Sequence, residues 1–113
     1  MAKFLFIFRH STVNRAQQSP EDLQALQGAW YAWMQKHSSA IVGGDGLLPS
    51  GRLVKSGVVT DGPYVEAKEV IASFSIIQAD GYDAAVAIAR ECPGQDTGAN
   101  GHTIEIREMG GYA

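Results

Sequence analysis

Asp61-Gly62-Pro63-Tyr64 is followed within five residues by Glu66, Lys68 and Glu69. Carboxylates and an ammonium beside a tight turn are groups that can move protons or hold a polar ligand. Glycine before proline relieves the clash that proline imposes on its predecessor. Asp61 can close the turn by accepting from backbone amides near it. In that reading Asp61 is structural. In the other it stands at the mouth of a pocket as a ligand contact or general base, which at neutral pH requires partial burial to raise its pKa. On an extended segment Glu66 and Lys68 point one way and Glu69 the other. Lys68 then either pairs with Glu66 on the surface, for less than about 1 kcal/mol, or stands at a dimer edge while Glu69 projects into a cleft between sheet and helix.

Arg9 and His10 end an apolar run. Arg9 can hold a carboxylate or phosphate in a two-pronged grip, or pair with Asp61, Glu66 or Glu69 to fix the fold. His37 shares a helical face with Trp30, Trp33 and Met34, either as a ligand contact or as a packed charge at a helix C-terminus. The two tryptophans read as core or dimer contacts. His10, His37 and His102 lack metal-ligand spacing, so neither metal nor cofactor is expected. Cys92 is the one cysteine. It allows no internal disulfide, suits a reducing cytoplasm, and reads as a small buried hydrophobe. GGDGLLPSG, residues 43–51, lacks the Lys-Ser/Thr ending of a phosphate loop and reads as a turn-rich loop. A net charge of −3 with scattered basic residues argues against nucleic-acid or membrane-surface partners. KFLFIF near the start is too short to cross a membrane.

These groups need elements to place them, and 113 residues supply one domain, 1–113. Residues 3–9 predict a strand with Phe4, Phe6 and Phe8 on one face and Leu5 and Ile7 on the other, hence covered on both sides. Ser19-Pro20-Glu21-Asp22 predicts a helix start. Leu23, Leu26, Trp30, Trp33, Met34 and His37 follow as one buried stripe, ending near Ser39. Residues 45–60 predict a loop with one or two short edge strands. Residues 70–79 predict a strand with Val70, Ala72, Phe74 and Ile76 on one face and Ile71, Ser73, Ser75 and Ile77 on the other. Asp80 or Gly81 caps a helix running through Glu91, with Ala85, Val86, Ala89 and Cys92 buried, and Pro93 stops it. Residues 103–109 alternate as a half-buried strand. The order predicts an α+β, ferredoxin-like split βαβ sandwich with the first and third strands innermost. Two helices cover one sheet face, so a homodimer joined through the other face is expected.

The stretch VTDGPYVEAKEVIASFSIIQADGYDAAVAIARECPG resembles the YCII-related proteins of the DGPF branch. The matching features are the Asp61-Gly62-Pro63-Tyr64 turn, Glu66, Lys68-Glu69, the apolar strand after them, Cys92-Pro93 and a last strand. The first strand ending in FRH, the SPEDLQ helix start, Trp30-x-x-Trp33-Met34 and GGDGLLP are similar too, so the likeness spans nearly the whole chain. It implies a dimeric α+β barrel of ferredoxin-like units. It also implies small-molecule enzymes, some found beside or fused to sigma factors. A His early in the first helix, paired with an Asp, is the proposed dyad of one branch. Here that segment reads Glu21-Asp22-Leu23-Gln24, so the dyad does not carry over. Tyr64 replaces the usual Phe of the turn, and Ala72-Ser73 replace a pair of glycines.

Two readings stand. One is a dimeric small-molecule enzyme of lyase, isomerase or hydrolase type. In it Asp61 and Glu69 are the acid/base groups, and Arg9, His37, Tyr64 and Lys68 hold a polar or aromatic substrate. The other is a non-catalytic module that binds a ligand or a partner protein such as a sigma factor. A carboxylate in a closed cleft favours the first; an open groove or an apolar patch outside the dimer contact favours the second.

Overall fold

Alternating phenylalanines put the heart of the molecule on one face of the first strand. The computed structural model describes residues 1–11, 19–62, 69–93 and 102–112, with the side chains of Ser11 and Glu69 outside that description. The elements in order are β1 (Ala2–Ser11), α1 (Pro20–Lys36), β2 (Ile41–Gly46), β3 (Gly51–Lys55), β4 (Val58–Gly62), β5 (Glu69–Ala79), α2 (Tyr82–Arg90) and β6 (His102–Met109). Four strands form an antiparallel sheet in the order β2-β5-β1-β6, and β3 and β4 form a separate two-stranded sheet. This is the ferredoxin-like α+β arrangement, with a hairpin inserted before its third core strand. β1 and β5 are the inner pair, as the two-sided apolar pattern of their sequences requires.

In the β1–β5 ladder Phe4 lies opposite Ile77, Phe6 opposite Ser75 and Phe8 opposite Ser73. Both helices cover this face. Phe4, Phe6 and Ile77 are fully buried there, with Ala85, Ala89 and Cys92 around them. The other face carries Leu5 opposite Ile76 and Ile7 opposite Phe74, all half-buried. A bulge between Phe8 and Arg9 shifts the register so that Arg9 faces Ile71. The extra β5 residue breaks the simple alternation expected for residues 70–79, and Ile71 does not share the face of Ser73.

Ser19 caps α1 as expected. Its hydroxyl accepts from the Asp22 amide at 3.1 Å, and the Asp22 carboxylate accepts from the Ser19 amide at 3.4 Å. The six-residue stripe of α1 does not all bury. Trp33 is buried, whereas Leu23 and Met34 are 47% and 50% exposed. The cause is the bulk of the two indoles, which meet edge to face with centroids 5.8 Å apart and rest on Phe8 at 5.4 and 6.4 Å. α1 rests on these rings, and its first two turns have little beneath them. The Trp33 indole N–H donates to the Ile88 carbonyl at 3.0 Å, tying α1 to α2. α2 starts at an extended Gly81 and packs flat through Ala85 and Ala89. Among the described residues no helix is long and apolar enough to cross a membrane.

Candidate functional site

Small residues sit where α1 overhangs the sheet. Ser73 and Ser75 of β5 lie opposite Gly46 and Gly44 of β2, so this corner lacks side-chain bulk. The result is a half-open cleft of about 640 Å³. Phe8, Trp30, Trp33 and Met34 wall it, and Ser73, Ser75 and the backbone of residues 43–46 floor it. Gly44 is obligatory: with φ at +148°, an added Cβ would stand 2.6 Å from the Phe74 carbonyl oxygen. At Gly46 an added Cβ would meet nothing within 4 Å. The run read from sequence as a turn-rich loop is thus partly a strand, β2, whose glycines let the backbone come close to β5 and leave room above it.

The cleft pairs aromatic faces with hydroxyls and peptide edges. Such a lining is able to stack a flat ring and hydrogen-bond its oxygen substituents. Asp45 is the one ionisable lining residue among those described, and its carboxylate accepts from the Gly46 amide at 2.8 Å.

Of the residues singled out from sequence, Arg9, His37 and Asp61 do not line this cleft. Arg9 lies on the open sheet face, where its guanidinium donates to Glu105 at 3.2 Å; Arg107 binds the same carboxylate at 3.4 Å. Asp61 lies at the end of the hairpin, 93% exposed and 3.6 Å from Arg52. His37 caps the C-terminus of α1 and contacts Glu91 at 2.6 Å, with Lys36 on the other oxygen at 3.1 Å. Lys36, then His37, hold the Glu91 carboxyl below its usual value. Glu69 opens β5 opposite Ser11, four residues before Ser73. Tyr64 and Lys68 lie outside the described residues. Burial pushes the Cys92 thiol up to about 12, so it is not a nucleophile at neutral pH. The described residues contain no cluster suited to a metal.

His102 was not singled out from its sequence context as a site residue. It faces His10 across the β1–β6 ladder and packs on Phe8 and Trp30 at 5.8 and 5.4 Å, directly behind the cleft wall. Its Nε2–H donates to the Pro93 carbonyl at 2.6 Å, since a carbonyl only accepts. Burial first, and then His10, push its pKa below the ordinary value. The register that joins it to His10 and Phe8 is long-range and left no local signal in the sequence.

Residues 6–109 match the YCII-related domain. The chain belongs to the YCII-related family. No curated protein matches it. Among solved structures, this YCII-related chain is similar to 5-chloro-2-hydroxyhydroquinone dehydrochlorinase, TftG, of Burkholderia phenoliruptrix AC1100, in complex with 2,5-dihydroxybenzoquinone. The two are 19% identical with a TM-score of 0.53, covering 96% of this chain and 93% of that one. At that identity the likeness is one of fold.

Proposed function

We propose that the cleft beneath α1 binds a small, flat, oxygen-substituted ring, phenolic or quinoid, in a homodimer that forms an α+β barrel through the open sheet faces. The observation that carries this reading is the lining: three aromatic side chains over two serine hydroxyls and a glycine backbone. The quinone in the TftG complex is a ligand of that class. The half-buried Leu5, Ile7, Phe74 and Ile76 support the dimer, because they form an apolar face that the two helices do not cover.

The chemistry that suits such a ring is proton transfer with addition–elimination. Glu69 is the proposed acid/base group; it starts the strand that carries Ser73 and Ser75, and its register position opposite Ser11 falls with Arg9 and Ile71 on the open sheet face. Tyr64 and Lys68 are proposed binding groups close to it in sequence. The exposure of Asp61 and its cross-strand pairing with Arg52 favour a structural role at the end of the hairpin, and the Glu105 pairing favours a fold-fixing role for Arg9. His37 is proposed to anchor α1 through Glu91. The Asp61-Gly62-Pro63-Tyr64 sequence favours the DGPF branch, and the lone thiol suits the cytoplasm. The apolar side chains exposed on the hairpin favour a second reading, a module that binds a partner such as a sigma factor without turnover.

Both tryptophans of the sequence line the cleft, so indole fluorescence reports on it directly. Titration with 2,5-dihydroxybenzoquinone, corrected against N-acetyltryptophanamide for light absorbed by the quinone, should give saturable quenching. Ser73→Leu, which fills the floor, should weaken it by about tenfold or more. Quenching that never saturates, or that is unchanged in Ser73→Leu, removes the cleft as the binding site.

A further inference from the structure

The hairpin is anomalous. β3 and β4 pair with each other and, among the described residues, with no strand of the main sheet. A lone two-stranded ribbon is marginal in water, yet this one is regular. Its turn puts Ser56 at φ 51° and Gly57 at φ 80°, the doubly left-handed geometry that matches strand twist. Apolar side chains occupy both of its faces. Val54 and Val59 stand opposite each other, 70% and 60% exposed. On the reverse face Leu53 and Val58 border a shallow hollow, with Val58 62% exposed. Leu48, in the approach to the hairpin, is 81% exposed. The radius of gyration is 15.6 Å, whereas a compact chain of this length has about 13 Å. The thinnest dimension of the molecule is 19 Å, one helix layer on one sheet.

We propose that the β3–β4 hairpin is an arm that clasps a second copy of this chain, extending the sheet-face dimer. The inference rests on the dimer reading given above. Area argues for the second copy. Four strands about 4.8 Å apart and some eight residues long, at about 3.3 Å each, offer roughly 500 Å² of open sheet face. A stable interface needs about 800 Å² per partner. The two apolar faces of a five-residue ribbon supply most of the difference, and two-fold symmetry uses each arm on the opposite copy. Charge agrees: Arg52 and Lys55 against Asp61 give the hairpin one net positive charge on a chain of −3, so the body it grips carries −4.

The test is sedimentation equilibrium of the full chain beside the Val54→Glu/Val59→Glu double variant, with folding checked by circular dichroism. The wild type should be a dimer. The double variant should raise the dissociation constant by about 100-fold or more, because it places two charges in a buried contact. A wild-type dimer whose dissociation is unchanged in the variant overturns the arm and leaves the sheet-face dimer standing. A wild-type monomer at every concentration overturns both. Should the variant unfold, hydrogen exchange on the wild type decides. Amides of residues 51–62 should be protected at high concentration and exposed on dilution, and equal protection at both rejects the arm.

Discussion

The two ends of one sheet face are finished differently. Under α2, Phe4, Phe6 and Ile77 meet Ala85 and Ala89, large against small, in one buried cluster. Tyr82 closes the edge by stacking edge-on against Phe4, with centroids 4.9 Å apart, and by accepting from the Glu108 amide at 3.0 Å. Under α1 the order is reversed. The helix brings the bulk, two tryptophans, and the strands bring serines and glycines. Alanines let α2 sit down on phenylalanines, whereas indoles hold α1 up over serines. The same face thus seals where interlocking volumes match and opens where they do not. Stability is concentrated at the first end and room for a ligand at the second.

The sharpest way to break that comparison is to cut the sealed end. Phe4→Ala removes a fully buried ring and its edge-on partner, and should cost about 3–5 kcal/mol in urea unfolding. Ligand quenching should persist in whatever fraction stays folded. A loss under about 1 kcal/mol would mean that the α2 end is no better packed than the cleft.

The next largest effect lies at the open end, in the backbone. Gly44→Ala puts a Cβ against the Phe74 carbonyl at a φ that alanine resists, and should cost about 1–3 kcal/mol. Gly46→Ala, which adds a methyl to open space, should cost far less. Equal costs at the two positions would show that β2 does not depend on its close approach to β5.

The sealed end was legible in the sequence. Period-two phenylalanines and the Ala85/Ala89 spacing are local patterns, and each produced the element it implied. The cleft was legible only in parts. Trp30, Trp33 and Met34 read as a buried stripe because helical spacing says which residues share a face, not how far that face stands from its support. Gly44 reads as loop because a strand glycine is explained by what approaches it, here Phe74 and Ser75. The β3–β4 hairpin was foreseen as short edge strands, but its separation from the sheet depends on pairings that did not form. The charges around Asp61 stand out because ionisable groups are conspicuous in a sequence. The described lining of the cleft is mostly uncharged and does not.

The smallest expected effect separates the two ends by pH. Among the described residues, Cys92 is the one ionisable side chain of the buried core cluster, whereas His102 supports the cleft wall through Phe8 and Trp30. Burial, and then His10, hold the His102 pKa below its ordinary 6.5 in the folded chain. Below that value the unfolded chain therefore binds more protons than the folded one. Stability from this group is complete above about pH 6.5 and falls as pH drops toward the folded-state value. Glu91 has the same sign in a lower window, because its carboxyl is held below the ordinary 4.5. Acid should therefore loosen the α1 end first. Between these windows indole fluorescence should shift while amides of α2 keep their exchange protection. His102→Gln, which keeps a donor for the Pro93 carbonyl and cannot titrate, should flatten the limb just below pH 6.5 and leave the Glu91 limb in place. A limb of unchanged slope in His102→Gln would assign the acid sensitivity to another group and leave the cleft wall as indifferent to protons as the sealed end.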